Sequence, residues 1–372
     1  DIRIPAPSAS RSMAAALLPG PGGGFPKGTF EAVEATARRV QGIAASCAGL
    51  NRETAMPAST FTLAADDGTE VFVYRWLPAD DSKAVVQIVH GMAEHAGRYG
   101  RLAEALNRAG YAVYAGDLRG HGRTAKDAGD LGLFAEADGW AKVTGDLWLL
   151  NRRIATEQPG KPLVLLGHSM GSFIVQQFLA EHGEVLAAAV LSGSGGKPNA
   201  LATVGRLVAR LERWRKGGRG KSLLIHALSF GAFNKSFKPA RTPFDWLSRD
   251  PAEVDKYAAD PLCGFMVSNQ LWCDLLPALA RIADPAFQAR IPKRLPVYVV
   301  SGSRDPVGEN TKSLQQLLGA YRAAGLTQVT HRFYLDGRHE MFNEVNRDEA
   351  TGDLIAWLDG VLAANQTGNR AA

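Results

Sequence analysis

"PLVLLGHSMGSFIVQQFLA", residues 162–180, runs from a continuous apolar stretch through a glycine, a serine and a second glycine into an amphipathic pattern. A short apolar run bounded by glycine reads as a buried strand, and the following spacing reads as a helix. Between them, Gly167-His168-Ser169-Met170-Gly171 fits G-x-S-x-G, a pattern that is informative when it joins a strand to a helix. A turn this sharp strains the central residue and leaves room only for small residues two positions away on each side. It also lifts the serine oxygen to a helix N-terminus, where free amides favour developing negative charge.

Outward from this stretch, apolar runs and helical patterns alternate. "AVVQIVH" ends at His90, with a helix predicted near 97–109, and "YAVYAGD" ends at Asp117. A long helix is predicted over about 139–157. "LAAAVLSG" ends at Gly193, and "LPVYVVSG" and "HRFYLD" come much later, each followed by a helical stretch. Continuous apolar strands separated by helices imply a mostly parallel sheet covered by helices on both faces. Ahead of them, runs at 60–65 and 70–77 flank Asp66-Asp67-Gly68 as a hairpin. The segment from about 195 to 265 breaks the rhythm and reads as an insertion after the sixth strand. Residues 1–55 are rich in Ala, Gly and Pro with one helical pattern near 29–46. They read as an accessory extension or as upstream sequence translated from an early start, with Met56 where a compact domain would begin. The expected division is therefore 1–55, a core of 56–194 and 266–366, an insertion of 195–265, and a tail of 367–372.

Composition narrows the class. The 372 residues are 46% apolar, enough for one large core or at most two modest ones. Cys47, Cys263 and Cys273 are too few and too irregular for a disulfide framework or a zinc site, which favours a reducing, cytoplasmic setting. The apolar patch after Arg11 is too short for a secretory signal, and no run approaches the ~18 residues that cross a bilayer. The net charge of +5 is unevenly placed, because residues 197–241 carry eleven Lys/Arg against one acid, Glu212. No nucleic-acid-binding module accompanies that basic run.

A serine hydroxyl needs a base, and the base an orienting acid. With the strand–serine–helix order, the acid and then the histidine follow in sequence. Asp305 in "YVVSGSRDPVG" and His339 in "FYLDGRHEMFNE" each lie on a loop after a late strand. Asp336 and Glu340 are too near His339 in sequence to approach its ring from a separate loop. Arg304 raises the alternative that Asp305 is an ion-pair partner. His331 reads as a surface residue, His182 and His226 carry no pattern, and His168 is expected to pack rather than react. The oxyanion of an acyl-transfer intermediate needs donors. The backbone amide of Met170 is one, and that of Met92, in "HGMAEHAGRY", is the other. Glu94 and His95 are expected to organise that loop, and Asp117, Arg119 and His121 to tie a polar turn.

"HGMAEHAGRY", "DLRGHGRT", "GHSMGS", "SGSRDPVG" and "DGRHEMFNE" together resemble the monoacylglycerol lipase and lysophospholipase group of the α/β-hydrolase fold, over about residues 56–364. "FDWLSRDPAEVDKYAADPLCGF" is similar to the cap of bacterial members, so the insertion is expected to be a helical cap. The resemblance implies nucleophile Ser169, acid Asp305, base His339, oxyanion amides at Met92 and Met170, and no metal or organic cofactor. It implies hydrolysis of carboxylic esters of monoacylglycerol or lysophospholipid type. A short-chain esterase, or a thioesterase, amidase or peptidase with the same three residues, is the alternative, and a lipid-surface binding protein is the non-enzymatic one. In the cap, Leu201, Val204, Leu207, Val208, Leu211 and Trp214 fall at helical spacing, with Arg206, Arg210, Arg213 and Arg215 largely on other faces. The favoured expectation packs this apolar stripe over the active site with the arginines in water. Transient contact with a membrane surface is the second reading.

Overall fold

The computed structural model describes residues 59–370 except Asn199. The expected extension at 1–55, with Cys47, lies outside the described residues. Eight strands form one sheet: β1 (Ser59–Ala64), β2 (Glu70–Trp76), β3 (Ala84–Val89), β4 (Tyr111–Gly116), β5 (Leu163–His168), β6 (Ala188–Ser192), β7 (Val297–Gly302) and β8 (Val329–Tyr334). Their order is β1-β2-β4-β3-β5-β6-β7-β8. The pairs β1–β2 and β2–β4 are antiparallel, and every pair from β4 to β8 is parallel.

The five central strands, β3 to β7, are buried at every residue. That is why they read as unbroken apolar runs, while edge strand β1 alternates between half-buried and exposed. Successive side chains on a strand serve opposite faces. Val85 and Val89 of β3 join one core with helices α2 (Gly139–Glu157), α3 (Met170–His182), α7 (Asn269–Ile282) and α8 (Lys312–Ala323). Val86 and Ile88 join the other, with α1 (Gly100–Arg108) and α9 (Arg347–Arg370). This is the α/β-hydrolase architecture, with a helical cap inserted after the sixth strand.

The cap carries α4 (Ala200–Lys216), α5 (Leu223–Leu228) and α6 (Pro251–Ala259). Here one expectation is corrected. The apolar side chains of α4 do not roof the active site: Val204, Leu207 and Leu211 are more than half exposed and Trp214 is 83% exposed. The inward face is instead built on small residues. Gly205 faces Leu276 of α7, and Ala209 and the Glu212 side chain are buried. Gly205, Ala209 and Glu212 recur at intervals of four and three, so they share a face, and short side chains let two helices approach closely. The Leu201 side chain lies outside the described ones.

The far end of the cap is fixed differently. Arg338 donates to the carbonyls of Asp245 and Ser248. The Glu340 amide donates to Leu247 O at 2.8 Å. Arg249 pairs with Glu344 and Arg347 with Asp250.

Candidate active site

Met92, Ser169, Asp305 and His339 each lie beyond the carboxyl end of a parallel strand, where open α/β sheets place their ligands. At the end of β5, Ser169 has φ 52° and ψ −122°. A non-glycine residue held there stores roughly 1–3 kcal/mol of strain, and the Ser169 amide is anchored to Ser192 O at 2.8 Å. Steric crowding explains the flanking glycines. A Cβ on Gly171 would overlap the carbonyl oxygens of Val89 and His90, and one on Gly167 would come within 2.6 Å of Gly171 O.

His339 Nδ1 donates to Asp305 Oδ1 at 2.9 Å, and both side chains are at most 2% exposed. The other Asp305 oxygen accepts from Ser301 Oγ at 3.0 Å, and the Val307 amide donates to Oδ1 at 2.9 Å. Burial alone would raise the Asp305 pKa, but the nearby His339 and these donors hold it below the usual carboxylate range. Burial alone would lower the His339 pKa, but the Asp305 carboxylate outweighs it and the net shift is upward. Arg304 does not pair with Asp305; its guanidinium sits over the Phe237 ring. His339 therefore has a fixed orientation and an ionised partner, which suits it to take and return a proton.

Three other histidines are placed differently. His168 Nδ1 lies 3.2 Å from Ser192 Oγ and its ring packs 4.7 Å from that of His339. Burial, reinforced by His339, pushes its pKa down to about 4, so it stays neutral. His182 stacks on Trp148, and His331 is exposed on β8. In the polar turn, Asp117 accepts from the amides of Ala96 and Arg123, while Arg119 bridges Asp67 and Asp146. Glu94 accepts the Gly91 amide at 2.6 Å, so it shapes the loop that carries Met92.

A cavity of about 220 Å³ opens over Ser169, bounded by Gly91, Met92, Met170 and His339 on the core side. Its roof comes from residues that pattern reasoning did not single out: Phe230, Phe233, Trp246 and Tyr257 of the cap, with Trp272 and Leu275 of α7. The Trp246 ring packs 4.8 Å from His339, shielding the imidazole from water. Only the distances between segments identify these aromatics, because a lone Trp or Phe in a cap has no periodic signature.

One other group merits description as a metal candidate. His95, Asp260 and Cys263 bring a nitrogen, an oxygen and a sulfur within 4.8 Å of one another. His95 Nε2 and Asp260 Oδ2 already satisfy each other at 3.0 Å, and burial pushes the Cys263 thiol pKa up. The His95–Asp260 contact ties the loop after β3 to the cap.

The chain matches the family model described as serine aminopeptidase, S33, over residues 80–346. It is 28% identical over 306 residues to a monoacylglycerol lipase of Mycolicibacterium smegmatis, covering 81% of this chain and 96% of that protein. It is also 28% identical over 300 residues to human monoglyceride lipase, covering 75% and 86%. Among solved structures, a thermostable carboxyl esterase from Bacillus coagulans superposes with a TM-score of 0.76 at 27% identity, over 82% of this chain and 99% of the esterase. With a strained serine at the strand–helix turn and a buried histidine–aspartate pair beside an apolar cavity, the chain belongs to the serine aminopeptidase S33 family of α/β-hydrolases, in its monoacylglycerol-lipase-like group of carboxylic ester hydrolases.

Proposed function

We propose that Ser169 is the nucleophile, His339 the general base and Asp305 the acid that orients it, acting on esters of a single long acyl chain. His339 takes the hydroxyl proton as Ser169 attacks the ester carbonyl, and the Met92 and Met170 backbone amides receive the oxyanion. His339 then protonates the departing alcohol, glycerol in the case of a monoacylglycerol. Water, deprotonated by the same imidazole, releases the fatty acid from Ser169.

The observation that carries the lipid reading is the cavity. At about 220 Å³ it falls below the ~300–1,000 Å³ usual for ligand pockets, and its walls are largely aromatic and aliphatic. One acyl chain fits that description better than the two of a diacyl lipid. Each methylene buried contributes about 0.8 kcal/mol, so turnover is expected to rise along an acetyl-to-palmitoyl ester series and peak at about eight carbons or longer. A maximum at acetyl or butyryl would make the protein a short-chain esterase.

The cap supplies the meeting with lipid. Exposed Leu207, Leu211 and Trp214 on α4, with Leu223 and Leu228 of α5 at 71% and 63% exposure, lie on a segment that also exposes Arg210, Arg213 and Lys216. Apolar anchors beside basic groups suit an anionic membrane surface. Among the described residues no helix is long and apolar enough to cross a membrane, so this reading is of a peripheral contact. Among the described residues Cys263 and Cys273 form no disulfide. Sedimentation with phosphatidylglycerol vesicles is expected to fall about tenfold in Leu207→Glu/Trp214→Glu, a loss of ~1.4 kcal/mol of binding. Hydrolysis of a soluble ester should be unchanged. Equal sedimentation of both proteins would remove the membrane reading.

A further inference from the structure

We infer that Arg98 is a positioning residue that locks the loop carrying Met92 to the loop carrying His339, so that one guanidinium sets the oxyanion site and the base in register. This rests on the roles proposed above for those two residues.

The geometry is continuous from one loop to the other. Glu94 Oε1 accepts the Gly91 amide at 2.6 Å and the Tyr99 hydroxyl at 3.0 Å. With Gly91 committed to Glu94, Met92 is the next amide of that loop. Glu94 Oε2 accepts from Arg98 Nη1. The same guanidinium makes a two-pronged pair with Glu340, Nη1 to Oε1 at 2.8 Å and Nη2 to Oε2 at 2.7 Å. Glu340 directly follows His339, and Asn343 Nδ2 donates to its Oε2 at 2.9 Å. A third segment closes the arrangement: the guanidinium lies 4.8 Å from the ring centroid of Tyr257, whose hydroxyl donates to Ala93 O at 2.8 Å.

Energetics argue that this is more than packing. The Glu94 and Glu340 side chains are 4% and 6% exposed and that of Arg98 is 12%. Taking three charges out of water costs about as much as their attraction returns, so well-packed apolar residues could stabilise the site equally well. What a planar fork offers that apolar packing lacks is fixed direction and distance on both carboxylates at once. Ala93, between Met92 and Glu94, is held at φ 56°, so the loop is not in its relaxed form. Displacement of reacting groups by about 1 Å can cost ~10²-fold in rate, the scale on which such a lock would matter.

The test compares Arg98→Gln and Arg98→Lys with the native chain on a soluble ester. A fluorophosphonate titration counts reactive Ser169 sites, and kcat is expressed per titrated site. For Arg98→Gln, per-site kcat is expected to fall about 10²-fold with KM within about threefold, and Arg98→Lys to recover part of the loss. A merely structural role would lower the number of sites while each kept its native kcat, and that outcome overturns the inference. Should Arg98→Gln fail to fold, Glu340→Gln breaks only the far half of the link. Its per-site kcat is expected to fall about tenfold, and an unchanged value overturns the inference equally. If the phosphonate fails to label Ser169 in the native chain, the proposed active site is at fault instead.

Discussion

Ser169→Ala is expected to reduce ester hydrolysis about 10⁶-fold, to the level supported by binding and the oxyanion donors alone. The substitution removes one oxygen and keeps the Cβ, so the φ of 52° and the anchoring of the residue-169 amide to Ser192 O are undisturbed. The melting temperature should consequently stay within a degree or two, since surface-scale changes of about ±0.5 kcal/mol are all that remain. Steady-state hydrolysis, far-ultraviolet circular dichroism and labelling by a fluorophosphonate check the three parts together. Residual turnover above about 1% of native would move the nucleophile elsewhere.

Asp305→Asn should cost about 10⁴-fold in kcat, because an amide can hold the imidazole in the wrong tautomer and cannot stabilise its charged form. The pH profile supplies a sharper signature. With His339 as the proposed base, which must be neutral to act, kcat/KM rises as pH passes its pKa. Burial depresses that pKa, but the Asp305 carboxylate more than offsets it, placing the ascending limb of the native protein above the ordinary histidine value of about 6.5. Removing the carboxylate leaves burial opposed only by the weaker influence of Glu340 and Glu94, and the limb should move to lower pH even as the plateau falls. A limb that stays in place would show that another group sets the charge on His339.

The centre of the sheet was legible because strands β3 to β7 are buried on both faces, so apolar continuity in "AVVQIVH" or "PLVLLGH" is itself the structural fact. The strand–helix turn at Ser169 was legible because Gly167 and Gly171 are required by close contacts with neighbours fixed by that same turn. Helix α4 shows where this reasoning stops. Its large apolar residues have the spacing of a buried stripe, yet the residue facing Leu276 of α7 is Gly205, and Ala209 on the same face is buried. Hydrophobicity alone gives glycine and alanine little weight, so the wrong face was assigned to the interior. The Arg98–Glu340 pair was beyond reach for another reason. Its partners are 242 positions apart, and no local period links an exposed-looking "GRY" to "RHEMF". Trp246 and Phe233 likewise acquire meaning only when the cap folds back over His339.

The way residues 245–250 are fastened to the loop of His339 bears on how this enzyme can diversify. A roof resting loosely on a sheet could be exchanged between relatives to change substrate while the chemistry beneath continued. Here the backbone carbonyls that hold the Arg338 guanidinium and the Glu340 amide belong to the cap itself. A graft that replaced the entire insertion would unseat His339 along with the pocket. Exchange limited to residues 200–233 would leave that fastening whole. Variation in the pocket is thus free to accumulate in the first half of the insertion, while the second half is tied to the loop of His339 and must change in step with it.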